Sequence, residues 1–135
     1  KIFIKICKEK NLINILLNGN YLLAHKLNAT GVHLTSTQFD EILKAKELGL
    51  YVIISCHTFE DIQKAINNQA NAVTYSPIFE TPNKGTPKGI EVLKEVVDKY
   101  TNINIIALGG IINDKQIEQI SKTKAYGFAS IRYFV

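Results

Sequence analysis

The segment SPIFETPNKGTPKG (76–89) holds the densest group of side chains that could bind an anion. It contains Thr81, Asn83, Lys84 and Thr86, with two glycines and a single acidic residue. Hydroxyls, an amide and an ammonium group in a glycine-containing loop suit a phosphate or pyrophosphate. The segment also exceeds the ~2–6 residues usual between a strand and a helix. It therefore predicts an anion-binding loop, and a flexible lysine loop without a ligand is the alternative.

A glycine pair, Gly109-Gly110, is the second candidate, because it follows an apolar run and precedes a helical pattern. Glycine lets backbone N–H groups approach an anion, and the helix N-terminus behind them favours negative charge. The last apolar run ends at Ser130, Ile131 and Arg132, which add further N–H groups and a guanidinium. Together these residues predict a second phosphate site.

His57 lies just past the end of a β-branched run and could move a proton near neutral pH. A histidine that only caps a helix or holds the backbone is the alternative. Neighbouring strand residues point to opposite faces, so the side chains of Cys56 and His57 should diverge, which argues against a Cys–His nucleophile pair. His33 alternates with Val32 and Leu34, which predicts an interior histidine with a hydrogen-bond partner.

Six short apolar runs must position these groups, and their starts lie roughly 18 to 31 residues apart. They predict strands at 13–17, 31–34, 50–55, 71–75, 102–108 and 126–131. Helical patterns fill the gaps, and apolar residues at 2, 3, 6 and 7 predict one face of a helix that begins before Lys1. Capping signals precede three helices, at Thr37 with Asp40, Thr58 with Asp61, and Asn113 with Gln116.

Strand–helix alternation with nearly continuous apolar strands predicts a parallel sheet covered by helices. The 135 residues predict one domain. A complete (β/α)8 barrel needs ~250 residues, whereas an open doubly wound sheet fits ~130, so the length favours the open sheet. Both architectures place ligands at the C-terminal ends of the strands, where the candidate residues fall.

Composition narrows the function classes. The chain is 46% hydrophobic and 21% charged, which is typical of a globular protein. Its apolar runs are too short for a membrane span, and its N-terminus does not resemble a signal peptide. Two cysteines match no metal or disulfide framework, which predicts a reducing, cytoplasmic location. The net charge of +4 is spread along the chain without a basic block and suits small anionic ligands as well as nucleic acid, so the charge alone does not distinguish these partners.

The stretches ILLNGNYLLAHKLNATGVHL, SCH, SPIFETPNKG and IALGGI, in this order, resemble the thiamine phosphate synthase superfamily. That group includes the synthases and the TenI-like thiazole tautomerases. The resemblance covers residues 12–132 and implies a TIM (β/α)8 barrel of the thiamine phosphate synthase type. It implies that residues 1–135 form a single incomplete barrel domain with about strands three to eight. The functional chain is therefore expected to be longer.

The resemblance also implies roles for individual residues. Phosphate or pyrophosphate contacts of the family fall on Ser55, Thr81, Asn83 and Lys84. The thiazole-phosphate end falls on Gly110, Ile131 and Arg132, and a family asparagine falls on Asn18.

The synthases join a hydroxymethylpyrimidine pyrophosphate to a thiazole phosphate and release pyrophosphate with the help of Mg²⁺. The two carboxylates that hold this ion in the family fall on Gly19 and Gln38, so the resemblance predicts no metal and no cofactor here. Mg²⁺ would be needed only if the protein acts as a synthase.

The TenI branch needs no metal, and the chain is closer to it at these two positions. The main prediction is a thiazole tautomerase with His57 as the acid/base and Gly109, Gly110, Ile131 and Arg132 around the phosphate. A thiamine phosphate synthase, or a non-catalytic regulator that binds thiamine phosphates, is the alternative. Expected partners are a phosphorylated thiazole or thiamine phosphate, pyrophosphate, and a second copy in a homodimer, with no membrane and no nucleic acid.

Overall fold

Strands and helices alternate along the chain in the computed structural model, which describes residues 2–135. The strands are β1 (Leu16–Asn18), β2 (Gly31–Leu34), β3 (Tyr51–Cys56), β4 (Ala72–Tyr75), β5 (Asn104–Leu108) and β6 (Gly127–Ala129). The helices are α1 (Ile2–Glu9), α2 (Tyr21–Lys26), α3 (Ile42–Glu47), α4 (Phe59–Asn67), α5 (Gly89–Lys99) and α6 (Asp114–Ser121). A 3₁₀ turn, Phe39–Glu41, precedes α3.

All six strands are parallel, and they lie in the sheet in the same order as in the sequence. A doubly wound sheet reverses its strand order at a switch point, so this topology excludes the open-sheet alternative. The sheet is an incomplete (β/α)8 barrel, as the family resemblance implies. Its strands correspond in order to the six apolar runs of the sequence.

The two faces of the sheet have different partners, as β3 illustrates. Its residues are alternately buried and half-buried, with Val52, Ile54 and Cys56 in the main apolar core. That core lies between the sheet and the helices and includes Ile62 of α4 and Leu93 of α5. Burial of such side chains contributes about 1.5–3 kcal/mol each, so the helix-covered face carries most of the stability. The opposite face lines the barrel interior and is free to hold polar groups.

The first helix and first strand differ from their sequence predictions. Ile4 and Cys7 are the buried residues of α1, and they pack with Ile15, whereas Ile2, Phe3 and Ile6 are exposed. The predicted apolar face at 2, 3, 6 and 7 is therefore wrong apart from position 7. The helix contacts the chain just before β1, and this contact selects the face. Its predicted start before Lys1 lies outside the described residues.

β1 also begins later than predicted, because residues 13–15 precede the paired strand. Ile13 is exposed, and Ile15 lies under α1 as part of the small apolar cluster.

Within residues 2–135, no helix is long and apolar enough to cross a membrane.

Two of the three predicted helix caps are confirmed. Thr58 with Asp61 and Asn113 with Gln116 form reciprocal capping boxes at the starts of α4 and α6. The predicted cap at Thr37 with Asp40 is wrong, because the 3₁₀ turn comes first and α3 begins only at Ile42. The Thr37 hydroxyl lies 3.1 Å from that of Thr35 instead.

Candidate functional site

Two adjoining cavities lie at the C-terminal ends of the strands, where a (β/α)8 barrel binds its ligands. The smaller, of about 280 Å³, is lined by Thr35, Ser36, Ser55, His57, Ser76, Pro77, Thr81, Lys84, Leu108 and Gly109. The larger, of about 710 Å³, is bounded at its upper edge by Asn18, Thr81, Leu108, Gly109, Gly110, Ser130, Ile131 and Arg132. Thr81, Leu108 and Gly109 belong to both cavities, so the two spaces meet there.

Nine of the ten predicted site residues line one or both cavities. Ser55, His57, Thr81, Lys84 and Gly109 line the smaller one, and Asn18, Gly110, Ile131 and Arg132 line the larger one. Asn83 does not line either cavity. It lies at positive φ (61°) in the exposed turn between Thr81 and Gly85. Its predicted contact with an anion would need this turn to move.

His57 is held from two sides. Its backbone N–H donates to Asp61 Oδ2 (2.9 Å), an extension of the α4 capping box. Its ring Nδ1 lies 3.1 Å from the carbonyl oxygen of Ser76 and 3.3 Å from the Ser76 hydroxyl. A carbonyl oxygen can only accept, so this contact favours the tautomer with hydrogen on Nδ1. The Nε2 atom then carries the lone pair and is available as a proton acceptor.

Cys56 lies next to His57 in the chain but belongs to the other face of the sheet. It is fully buried in the main core, and burial, with a smaller contribution from Asp61, raises the pKa of its thiol to about 12. The predicted divergence of the two side chains is confirmed. The thiol stays protonated at neutral pH, which makes it a poor nucleophile.

The Gly109-Gly110 turn packs against the segment that follows β4. Ile78 N–H donates to Leu108 O (2.9 Å), and Phe79 N–H donates to Gly109 O (3.0 Å). A Cβ atom at Gly110 would lie 2.4 Å from the Glu80 carbonyl oxygen, and one at Gly109 would lie 2.7 Å from Pro77 Cα. Both residues have positive φ. Glycine is therefore required here for the close approach of two backbones, whether or not an anion binds.

The N–H groups around this turn are free to bind a ligand. Among residues 2–135, no group accepts a hydrogen bond from the N–H of Gly109, Gly110, Ile131 or Arg132. Unpaired N–H groups close to a helix N-terminus form a favourable anion site. The geometry therefore supports a phosphate at this end of the larger cavity.

Two side chains for which the sequence predicted other roles, Gln116 and Ser130, hold this end in shape. Gln116 Nε2 donates to Gly110 O (2.9 Å) while its Oε1 accepts from Ile112 N–H (2.7 Å). The Ser130 hydroxyl donates to Ile111 O (2.7 Å) and so ties the Gly-Gly turn to the end of β6. From sequence, Gln116 indicated only a helix cap. Its bond to Gly110 O joins it to a turn that lies outside the capping motif of Asn113 and Gln116.

The walls of the cavities contain a hydrogen-bonded cluster around His33, in which His33 and Thr74 line the larger cavity and Ser55 lines the smaller one. Its Nε2 lies 3.0 Å from the Ser55 hydroxyl and 3.4 Å from the Thr74 hydroxyl. The prediction of an interior histidine with a partner is confirmed. Burial lowers the pKa of His33 below its usual value, because the charged imidazolium is less well solvated there.

This lowered pKa predicts how stability depends on pH. On acidification, the unfolded chain binds a proton at His33 near pH ~6.5, before the folded chain does. The free energy of unfolding should therefore fall as pH decreases through this window, by at most about 1.4 kcal/mol per pH unit for one proton. Urea unfolding at several pH values checks this, and His33→Gln should remove that part of the slope. If the His33→Gln variant shows the same dependence of unfolding free energy on pH as the unmodified protein, His33 binds its proton equally well in the folded and unfolded chains.

The positions that would hold a magnesium ion do not fit one. Gly19 has no side chain and has a φ of 72°, and position 38 presents an amide nitrogen in place of a carboxylate. Residues 2–135 contain no group of three or more His, Cys, Asp or Glu side chains that could hold a metal ion. Mg²⁺ binds through oxygen ligands that normally include one or two carboxylates.

Comparisons with known proteins agree with this architecture. The family described as thiamine monophosphate synthase matches residues 1–134. A thiamine-phosphate synthase of Pelagibacter ubique is 36% identical over 115 residues, which cover 79% of this chain and 53% of the relative. A thiamine-phosphate synthase of Clostridium tetani is 31% identical over 132 residues, which cover 95% of this chain and 62% of the relative. The structure of thiamine phosphate pyrophosphorylase from Pyrococcus furiosus superimposes with a TM-score of 0.78 at 25% identity, covering 95% of this chain and 61% of that one. The chain thus spans between about half and two thirds of the length of these relatives.

Proposed function

The chain belongs to the thiamine monophosphate synthase family, and we propose that the protein forms thiamine phosphate from a pyrimidine-methyl pyrophosphate and a thiazole phosphate. The observation that carries the proposal is the pair of cavities that meet at Thr81, Leu108 and Gly109. A reaction that joins two molecules needs two such spaces with a common boundary. The names of the relatives also favour a synthase over the tautomerase that was the main prediction from sequence.

The larger cavity suits the thiazole phosphate. Ile53, Ile106 and Leu108 provide apolar walls for the ring. The unpaired N–H groups of the Gly-Gly turn and of residues 131–132 suit the phosphate. The smaller cavity suits the pyrophosphate, because Ser55 and Thr81 supply hydroxyls and Lys84 supplies a positive charge.

The proposed chemistry is one displacement at the boundary of the cavities. The thiazole ring nitrogen bonds to the methylene carbon of the pyrimidine, while the bond from this carbon to the pyrophosphate oxygen breaks. The pyrophosphate leaves with the electron pair of that bond. Because Gly19 and Gln38 do not fit a magnesium ion, the protein's own groups would have to stabilise the leaving pyrophosphate. Lys84 would neutralise part of its growing charge, and a protonated His57 would donate to it through Nε2. The Ser76 carbonyl keeps the ring orientation by accepting from Nδ1.

A thiazole tautomerase is the second candidate, and two observations favour it. The imidazole of His57 can present an unprotonated Nε2 to a carbon acid in the cavity, and no carboxylates stand at positions 19 and 38. Such a reaction would need the thiazole phosphate alone.

An assay with the full-length protein separates these functions. With both substrates, the proposal predicts thiamine phosphate and pyrophosphate in equal amounts. Hydrogen exchange or isomerisation of the thiazole without the pyrimidine, and no coupled product, would identify a tautomerase. Calorimetric binding of thiamine phosphate without either reaction would identify a regulator.

Gln116 offers a test of the phosphate end. Gln116→Glu keeps an acceptor for the helix cap but loses the N–H donor to Gly110 O. Loss of one hydrogen bond that orients the turn should weaken thiazole-phosphate binding by about 3–10-fold, measured by calorimetry. Asn113→Ala is the control, since it removes the cap and costs about 1 kcal/mol of stability but leaves the contact with Gly110 intact. Equal affinities for the Gln116→Glu and unmodified proteins would contradict the role of the turn.

A further inference from the structure

We propose that the carboxamide of Gln38 links the loops after β1 and β2 in the way a divalent cation would, and thereby positions one wall of each cavity. Its Nε2 donates to Gly19 O (2.8 Å) and to Glu41 Oε2 (2.9 Å). Its Oε1 accepts from the N–H of Thr35 (2.9 Å) and from the Thr35 hydroxyl (3.0 Å). These four bonds use both donors and both acceptor sites of the amide.

The two groups around Nε2 are those that a hard cation selects. Gly19 offers a carbonyl oxygen and Glu41 offers a carboxylate oxygen, and Mg²⁺ and Ca²⁺ bind oxygen ligands of these kinds. The amide nitrogen lies within hydrogen-bond distance of both, and its two hydrogens carry the partial positive charge that faces these oxygens. Because its two hydrogens already satisfy these oxygens, a cation would have to displace the amide and would gain only one carboxylate.

The link reaches both cavities. Gly19 follows Asn18, which lines the larger cavity, and its own N–H donates to His33 O (2.8 Å). Thr35 lines the smaller cavity. Gln38 therefore connects the loop after β1 to the loop after β2, at the C-terminal ends of these two strands. This role belongs to the fold and holds whichever reaction the site performs.

Gln38→Glu tests the proposal, because it exchanges the donor for a second carboxylate beside Glu41 and Gly19 O. Without metal, the melting temperature should fall by several degrees, since two like charges then face each other. Millimolar Mg²⁺ or Ca²⁺ should restore it, and Mn²⁺ titration followed by electron paramagnetic resonance should show one bound ion per chain. The unmodified protein should melt at the same temperature in EDTA and in Mg²⁺.

Two controls make the result specific. The double variant Gln38→Glu/Glu41→Gln again has one amide and one carboxylate at positions 38 and 41. It should bind no Mn²⁺, and its melting temperature should not depend on metal. Gln63→Glu makes the same exchange on the exposed face of α4, where the Gln63 amide donates to Asn67 Oδ1, and it should bind no ion.

Two outcomes would overturn the proposal. One is a metal-dependent melting temperature in the unmodified protein that Gln38→Ala abolishes. The other is a Gln38→Glu protein that folds but binds no Mn²⁺. If Gln38→Glu does not fold without metal, folding in Mg²⁺ supports the proposal and failure in both conditions contradicts it. No readout involves a substrate, so failure here would leave the proposed function standing.

Discussion

His57→Asn is expected to lower kcat for thiamine phosphate formation by a factor of about 10²–10⁴, the usual contribution of a positioned acid or base. The KM for the thiazole phosphate should change little, because the N–H groups that suit its phosphate lie in the larger cavity. The α4 capping box should survive, since it is formed by Thr58 and Asp61, and His57 adds only its backbone N–H to Asp61 Oδ2. Steady-state kinetics across a pH series would measure both parameters.

The matched control is His25→Asn, which makes the same exchange on the exposed face of α2, away from both cavities. It should leave kcat and the pH profile unchanged. Full activity of the His57→Asn protein would show that His57 has only a structural role, the alternative that its contact with the Ser76 carbonyl leaves open.

Gly110→Ala is expected to destabilise the fold by about 2–5 kcal/mol, the sum of backbone strain and a steric clash. The residue has a φ of 68°, where a Cβ is unfavourable, and this Cβ would lie 2.4 Å from the Glu80 carbonyl oxygen. The obstacle is backbone, so neither a rotamer change nor a side-chain shift relieves it. Any folded fraction should bind thiazole phosphate much more weakly, because the turn must move to admit the methyl group. Urea unfolding and calorimetry would measure the two effects.

Gly85→Ala separates strain from clash. Gly85 has a similar φ of 73°, but nothing lies within 4 Å of the added Cβ. It should therefore cost only the left-handed strain, about 1–2 kcal/mol. Equal losses for the two variants would mean that the segment after β4 does not pack on the Gly-Gly turn as described.

Much of the architecture could be predicted from sequence because strands and caps are local signals. The six apolar runs gave the strands in order, and Thr58 with Asp61 marked the start of α4 correctly. Strand ends then placed His57, Ser55 and Gly109 at one edge of the sheet, since parallel strands bring their C-terminal ends together. Length alone favoured the open sheet, and only the observed strand order excluded it.

The errors and omissions have a common cause, which is that they depend on contacts between distant segments. The face of α1 depends on where Ile15 lies. The false cap at Thr37 arose where Gln38 bonds across to Gly19, 19 residues away. Gln116 looked like a helix cap and also orients Gly110, a bond that no local motif contains.

In the proposed function, each cavity binds the anionic end of a different substrate. A crystal structure of the full-length protein with thiamine phosphate and pyrophosphate tests it most directly. We expect the phosphate of thiamine phosphate at the N–H groups of Gly110 and Ile131, and pyrophosphate beside Lys84 and His57. Both anions in the same cavity, or thiamine phosphate bound outside both cavities, would contradict it.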